Sequence, residues 1–90
     1  MIKLKLYVTG MTPGSRALIA QLEELIGTLD DNFDLEVLDI FEHPNEAYDD
    51  LVQITPTLVR SLPPPVTQII GDLSNRERIL AGLALNSTAA

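Results

Sequence analysis

Leu62-Pro63-Pro64-Pro65-Val66-Thr67-Gln68-Ile69-Ile70-Gly71-Asp72-Leu73-Ser74-Asn75-Arg76-Glu77 is the stretch on which the fold of this chain turns. Three successive prolines carry no backbone N–H and cannot sit in a central strand, so they set a sharp corner before the apolar run Val66 to Ile70. Beyond that run, Ser74 and Glu77 have the spacing of a capping box. In such a box the hydroxyl accepts from the third backbone amide of a helix while the carboxylate reaches back. Corner, strand and helix start are therefore spelled out in order.

Working outward, Thr55-Pro56-Thr57 opens a strand expected over Thr57 to Ser61, and the prolines return the chain antiparallel along Val66 to Ile70. A capped helix over Asn75 to Leu85 closes the domain. Toward the N-terminus, Ile2, Leu4, Leu6 and Val8 alternate with Lys3, Lys5 and Tyr7, the period-two pattern of a strand with one wholly apolar face. Gly10 to Gly14 breaks that strand, and Thr12 as N-cap with Pro13 at the first helical position starts a helix. Leu18, Leu22, Leu25, Ile26 and Leu29 recur at helical spacing along one side, with Gln21, Glu23, Glu24 and Thr28 toward water. Asp30-Asp31-Asn32 ends it. Phe33 to Phe41 follows as a strand expected to be buried on both faces, with Phe33, Leu35, Val37 and Phe41 on one side and Leu38 and Ile40 on the other. Pro44 opens a shorter helix through Ala47, Tyr48, Leu51 and Val52, its acidic side (Glu46, Asp49, Asp50) expected in solvent.

The resulting order, βαβαββα, begins with a right-handed parallel crossover. It predicts an α/β domain of thioredoxin-like architecture, a four-stranded mixed sheet with a helix on each face. One domain spans 1–85, and the small polar residues Asn86 to Ala90 are expected to fray as a disordered tail. Ninety residues suffice to bury roughly two-thirds of the surface that the unfolded chain exposes.

Thirteen acidic against six basic side chains give a formal charge of −7. Phosphate backbones and anionic membrane surfaces repel such a chain, so neither nucleic acid nor membrane is expected as a partner. The chain has no cysteine, which excludes disulfides, thiol redox chemistry and thiolate metal sites. Lys3 and Lys5 interrupt the first apolar segment, so it does not read as a signal peptide, and a cytoplasmic location is expected.

Catalytic candidates are few. In thioredoxin-like enzymes the reactive thiols sit at the start of the first helix, where amide dipoles stabilise a thiolate. Here Gly10-Met11-Thr12-Pro13-Gly14-Ser15 occupies that place and offers no nucleophile with a partner base, so no enzyme activity is expected. Ser15 can contact a small anion as a glutathione-type site requires, or serve as a second capping residue, the reading preferred here. His43 stands beside Glu42, Glu46, Asp49 and Asp50, but the spacing matches no metal-ligand pattern, and a solvated acidic helix is the favoured reading. No metal and no cofactor are expected. Arg76 and Arg78 do not help the dipole of the last helix and are candidates for a partner surface. Thr55-Pro56-Thr57 resembles the cis-proline motif of thioredoxin-like domains, so Pro56 is expected to be cis.

Leu62 to Val66 and Ile69 to Glu77 also resemble the signature of the KaiB family of the cyanobacterial circadian clock. Leu4-Lys5-Leu6-Tyr7-Val8 with Gly10 and Thr12-Pro13 matches the family's opening. Arg16-Ala17-Leu18 matches its first helix, Thr55-Pro56-Thr57-Leu58 its middle and Gly82-Leu83 its end. The resemblance implies a non-enzymatic clock module that binds the ring of the ATPase KaiC and helps sequester KaiA, with Arg16 and Arg60 among the partner-binding positions. It also implies two folds: a tetrameric βαββααβ form and a thioredoxin-like form that binds KaiC, close in free energy. Pro56, Pro63, Pro64, Pro65, Ser74, Glu77, Gly82 and Ala84 are the expected fold-determining residues. Alanine at 84 and the capped start favour helix over Asn75 to Leu85, hence a thioredoxin-like monomer.

The chain departs from the family's basic pattern at Leu51, where a lysine is usual, and at Thr67-Gln68, where two arginines are usual; weakened KaiC binding is the expectation. Two alternatives stand beside it. One is a paralogue or sensor-type domain, like that of a histidine kinase, serving another signalling partner; the other is a cysteine-free glutathione-transferase-like site.

Overall fold

Alternation over Ile2–Val8 produces β1, and Thr12, whose hydroxyl accepts from the Ser15 amide at 3.1 Å, caps α1 (Pro13–Gly27). The computed structural model describes residues 1–29 and 32–83. After β1 and α1 come β2 (Phe33–Asp39), α2 (Pro44–Asp49), β3 (Thr57–Leu62), β4 (Thr67–Ile70) and α3 (Arg76–Gly82), the expected βαβαββα order. In the sheet the strands lie in the order β2-β1-β3-β4. β1 runs parallel to β2, from Ile2 beside Phe33 to Val8 beside Asp39. It runs antiparallel to β3, which places Leu6 beside Leu58, and β4 runs antiparallel to β3, which places Arg60 beside Thr67.

The two faces of β1 make two cores. Ile2, Leu4, Leu6 and Val8 pack with Leu58, Leu22 and Leu25 of α1, and Ile79 of α3. Each such aliphatic side chain stabilises the fold by roughly 1.5–3 kcal/mol on burial. On the other face Tyr7, Leu38 and Val59 pack with Ala47 of α2. Helices thus cover both faces, α1 and α3 one and α2 the other. Gly82 is needed where α3 meets β4, because a Cβ there would run into the Ile69 side chain.

Several boundaries move for local reasons. β2 ends at Asp39 rather than Phe41, because an Asp39 carboxylate oxygen accepts from the amides of Phe41 at 2.9 Å and Gly10 at 3.2 Å and turns the chain. Phe41 is left 72% exposed. As an edge strand β2 is not buried on both faces: Phe33, Leu35 and Val37 are half-buried, Leu38 is buried, and Asp34 and Glu36 face water.

α2 stops at Asp49 in a Schellman motif. The Leu51 amide donates to Tyr48 O at 3.0 Å and the Val52 amide to Ala47 O at 2.9 Å. That motif needs a left-handed residue, usually glycine, and here Leu51 takes it at φ 58°. Val52 turns back against the core that holds Ala47. β3 runs one residue past Ser61 to Leu62, and β4 begins at Thr67 with Val66 exposed. The Thr55–Pro56 bond is cis as the motif implied, and the Leu62–Pro63 and Pro64–Pro65 bonds are cis too.

The Ser74/Glu77 capping box does not form. The Asp72 carboxylate accepts both the hydroxyl and the amide of Ser74, and these two bonds hold it below the usual carboxylate range. With Ser74 so engaged, Asn75 is the N-cap, its side-chain oxygen accepting from the Arg78 amide at 3.0 Å. Glu77 instead sits in the first turn, where a carboxylate suits the helix dipole. Asp30 and Asp31, Ala84 and Leu85 of the expected helix, and the expected tail Asn86 to Ala90 lie outside the described residues.

This assignment of the cap is open to direct test. Asn75→Ala is expected to lower stability by about 1 kcal/mol. Ser74→Ala, which touches only an exposed turn, should stay within about 0.5 kcal/mol of the parent. Urea denaturation of the two variants measures the difference, and a larger loss for Ser74→Ala would return the cap to Ser74.

Candidate partner-binding site

At the start of α1, hydroxyl groups stand where a thioredoxin-like redox site would be. Ser15 Oγ donates to Gly10 O at 3.0 Å and Thr12 Oγ1 donates to Ser15 Oγ at 3.1 Å. The hydroxyls of Thr9 and Thr55 lie 2.6 Å apart. These residues line a small cavity with Leu18 and the cis Pro56. Ser15 ties the loop to itself rather than capping the helix a second time. No titratable base takes part in these bonds, so the arrangement supports a closed turn and no activated nucleophile.

The second face of β1 carries a connected polar network. Tyr7 is wholly buried, and its hydroxyl donates to the Asp50 carboxylate and, at 3.2 Å, to Glu46 O. Lys5 Nζ meets the same Asp50 oxygen at 3.2 Å. Burial raises the Tyr7 pKa far above the ordinary tyrosine range, helped by the hydrogen bond to Asp50 and the charges of Asp50, Glu46 and Glu36. From β4, Gln68 Nε2 donates to Asp50 O at 2.5 Å and reaches Leu51 O at 3.5 Å. Asp50, expected in solvent on the acidic side of α2, is instead half-buried and holds the helix to the sheet. His43 pairs with Glu46 at 2.9 Å on the exposed side.

Around this network lies a corner of exposed apolar side chains. Tyr48 is 80% and Leu51 73% exposed, with Phe41 and Ile54 nearby in sequence and also exposed. Tyr48, Val52, Ile54 and Pro44 line an open cavity beside α2.

The four arginines read as partner-binding do not form one cluster. Arg16, in the first turn of α1, and Arg76, in the first turn of α3, are exposed. Arg78 donates to Ile70 O and packs over Gly71, whose φ of 103° and lack of a Cβ leave room for the guanidinium. Arg60 is not a surface group. It is 8% exposed on β3, donating to Pro65 O at 3.0 Å and Thr67 Oγ1 at 3.2 Å, with its Nε unpartnered. Its place in the core face of β3, alongside Leu58, turns it inward to brace the proline corner. Thr67 and Gln68, read as lost charges, are both in use as hydrogen-bonding groups. The network at Tyr7 was missed because an alternating strand reads Tyr7 as the polar side, and only α2 covers that side.

Fold and site together define a thioredoxin-like domain with hydroxyls in place of redox thiols and a polar network beneath an exposed apolar corner. The N-terminal domain of Synechococcus elongatus SasA superposes with a TM-score of 0.81 over 99% of this chain and 85% of that one at 15% identity. Mitochondrial thioredoxin 3 of Saccharomyces cerevisiae superposes with a TM-score of 0.73 over 92% and 76% at 20% identity. The KaiB domain family model matches residues 5–85. The circadian clock oscillator protein KaiB of Prochlorococcus marinus is 48% identical over 91% of this chain and 71% of its own length. The circadian clock protein KaiB3 of a Synechocystis species is 41% identical over 91% and 81%. The chain belongs to the KaiB family. Among the described residues no helix is long and apolar enough to cross a membrane.

The Tyr7 network predicts a specific alkaline behaviour. A pKa raised in the folded state means that its stabilisation is complete below the unfolded value, about 10, and lost as pH rises beyond it. Urea denaturation from pH 9 to 11 should show a fall in stability that is smaller in Tyr7→Phe. An equal fall in both proteins would separate Tyr7 from the effect.

Proposed function

We propose that this protein is a non-enzymatic interaction module of a circadian clock, a monomer in its thioredoxin-like state, that binds the ring of a KaiC-type ATPase and helps sequester KaiA in the cytoplasm. The observation that carries this reading is the family match over residues 5–85 on a fold whose α1 start holds hydroxyls in place of thiols. The contact region is the corner after α2, where Tyr48 and Leu51 are exposed and where the family resemblance implies a basic group in place of Leu51. Arg16 and Arg76, both exposed, are further contact candidates on a separate part of the surface.

The conformation is already the competent one, which removes the penalty that a rarely populated binding state imposes. The missing charge at Leu51 works against it. A charge-assisted hydrogen bond contributes about 1.5–3 kcal/mol, tenfold or more in affinity. Because Leu51 and lysine are equally disfavoured at a positive φ, Leu51→Lys changes charge without changing backbone cost.

Titration against a KaiC ring at two salt concentrations is the experiment. Leu51→Lys should bind about tenfold more tightly than the parent at low salt, with the gain shrinking at high salt. Light scattering should give a monomer. No binding by either protein, or a tetramer in solution, overturns the reading and favours a paralogue serving another signalling partner.

A further inference from the structure

The turn after α2 breaks a rule of helix ends, and the molecule compensates from a distance. The left-handed position of a Schellman motif is normally glycine, because a side chain there crowds the backbone. Leu51 occupies it with a side chain that gains nothing from burial, since it faces solvent. Such conformations persist where the surroundings over-determine them. Here the residue before it, Asp50, is held to β1 through Tyr7 and Lys5. The carbonyls of Asp50 and Leu51 both face the carboxamide of Gln68, which arrives from β4, 17 and 18 residues later in the chain.

We propose that Gln68 is a positioning residue for partner binding: its carboxamide, donating to Asp50 O and Leu51 O, holds Leu51 in its left-handed conformation and so presents the Tyr48–Leu51 corner in one fixed geometry. The role rests on the corner's being the face that meets the KaiC-type ring. It makes the corner dependent on the β3–β4 hairpin: α2 supplies the residues, and β4 supplies the group that sets their direction. A partner meeting a preset corner has less to order on binding than one meeting a mobile turn. Gln68 touches no partner in this account and acts through Leu51.

The test pairs two readouts in Gln68→Glu, which keeps the shape and removes the donors, and Gln68→Lys, which restores a donor. Hydrogen exchange at the Leu51 and Val52 amides, with β1 amides as the internal control, reports the turn. Titration with a KaiC ring reports the consequence. In Gln68→Glu, exchange at the turn should rise and affinity fall, each by about two- to tenfold, the worth of one hydrogen bond. Gln68→Lys should restore the slow exchange; because the added charge also acts on affinity, its binding is compared at high salt, where that contribution is screened. A Leu51→Gly change, which relieves the left-handed strain, should make the turn's exchange less sensitive to Gln68→Glu.

Unchanged exchange in Gln68→Glu overturns the pin itself. Faster exchange with unchanged affinity keeps the pin and overturns its role in binding. If the parent does not bind the ring at all, the functional reading and the positioning role fall together, and exchange still decides whether Gln68 holds the turn.

Discussion

A tyrosine hydroxyl buried beneath a helix must find a hydrogen-bond partner, because leaving it unmade costs about 1–3 kcal/mol. Tyr7 lies in the middle strands of the sheet, on the face that α2 covers, and is wholly buried. The demand is met from the end of α2, by Asp50 and by the Glu46 carbonyl. Meeting it sets the depth and direction of α2, draws Lys5 into the same network and places the Asp50 carbonyl within reach of Gln68. The left-handed turn at Leu51 and the exposure of Tyr48 and Leu51 follow from where Asp50 must be.

The opposite face obeys a simpler requirement. Ile2, Leu4, Leu6 and Val8 need only apolar cover, which α1 and α3 provide with leucine and isoleucine. Each face of the sheet therefore has an apolar core, and the α2 face adds the hydrogen bonds of Tyr7. The proline corner has its own specification: Arg60 is taken into the core face and binds the Pro65 carbonyl and Thr67 hydroxyl, so a cation serves as a brace for a turn. The domain has the architecture of thioredoxin, with hydroxyls at the start of α1.

Much of this was legible in the linear chain. Period-two and helical spacing located the first elements, the prolines located β3 and β4, and the last helix was placed by a capping box that does not form; the Thr55-Pro56-Thr57 motif pointed to a cis bond. Those features depend on residues within a turn or two of each other. The candidate site was far less legible. Arg60 read as a partner-binding cation through the family resemblance, and Asp50 as a solvated one of several acids because charge alone suggested water. Leu51, Thr67 and Gln68 read as positions where charge is missing, which says what a side chain is not and nothing about what it does.

The sequence by itself determined the βαβαββα order, the apolar face of β1, the cap at Thr12, the absence of thiol chemistry and the family, because each is written in local patterning or in residue identity. Tertiary structure alone decided which polar groups are buried and what they hold. Tyr7 meets Asp50 across 43 positions of the chain, and Gln68 meets Asp50 across 18. Partners so far apart become neighbours only after the strands pair and α2 closes over the sheet, so no periodicity in the chain carries their assignment.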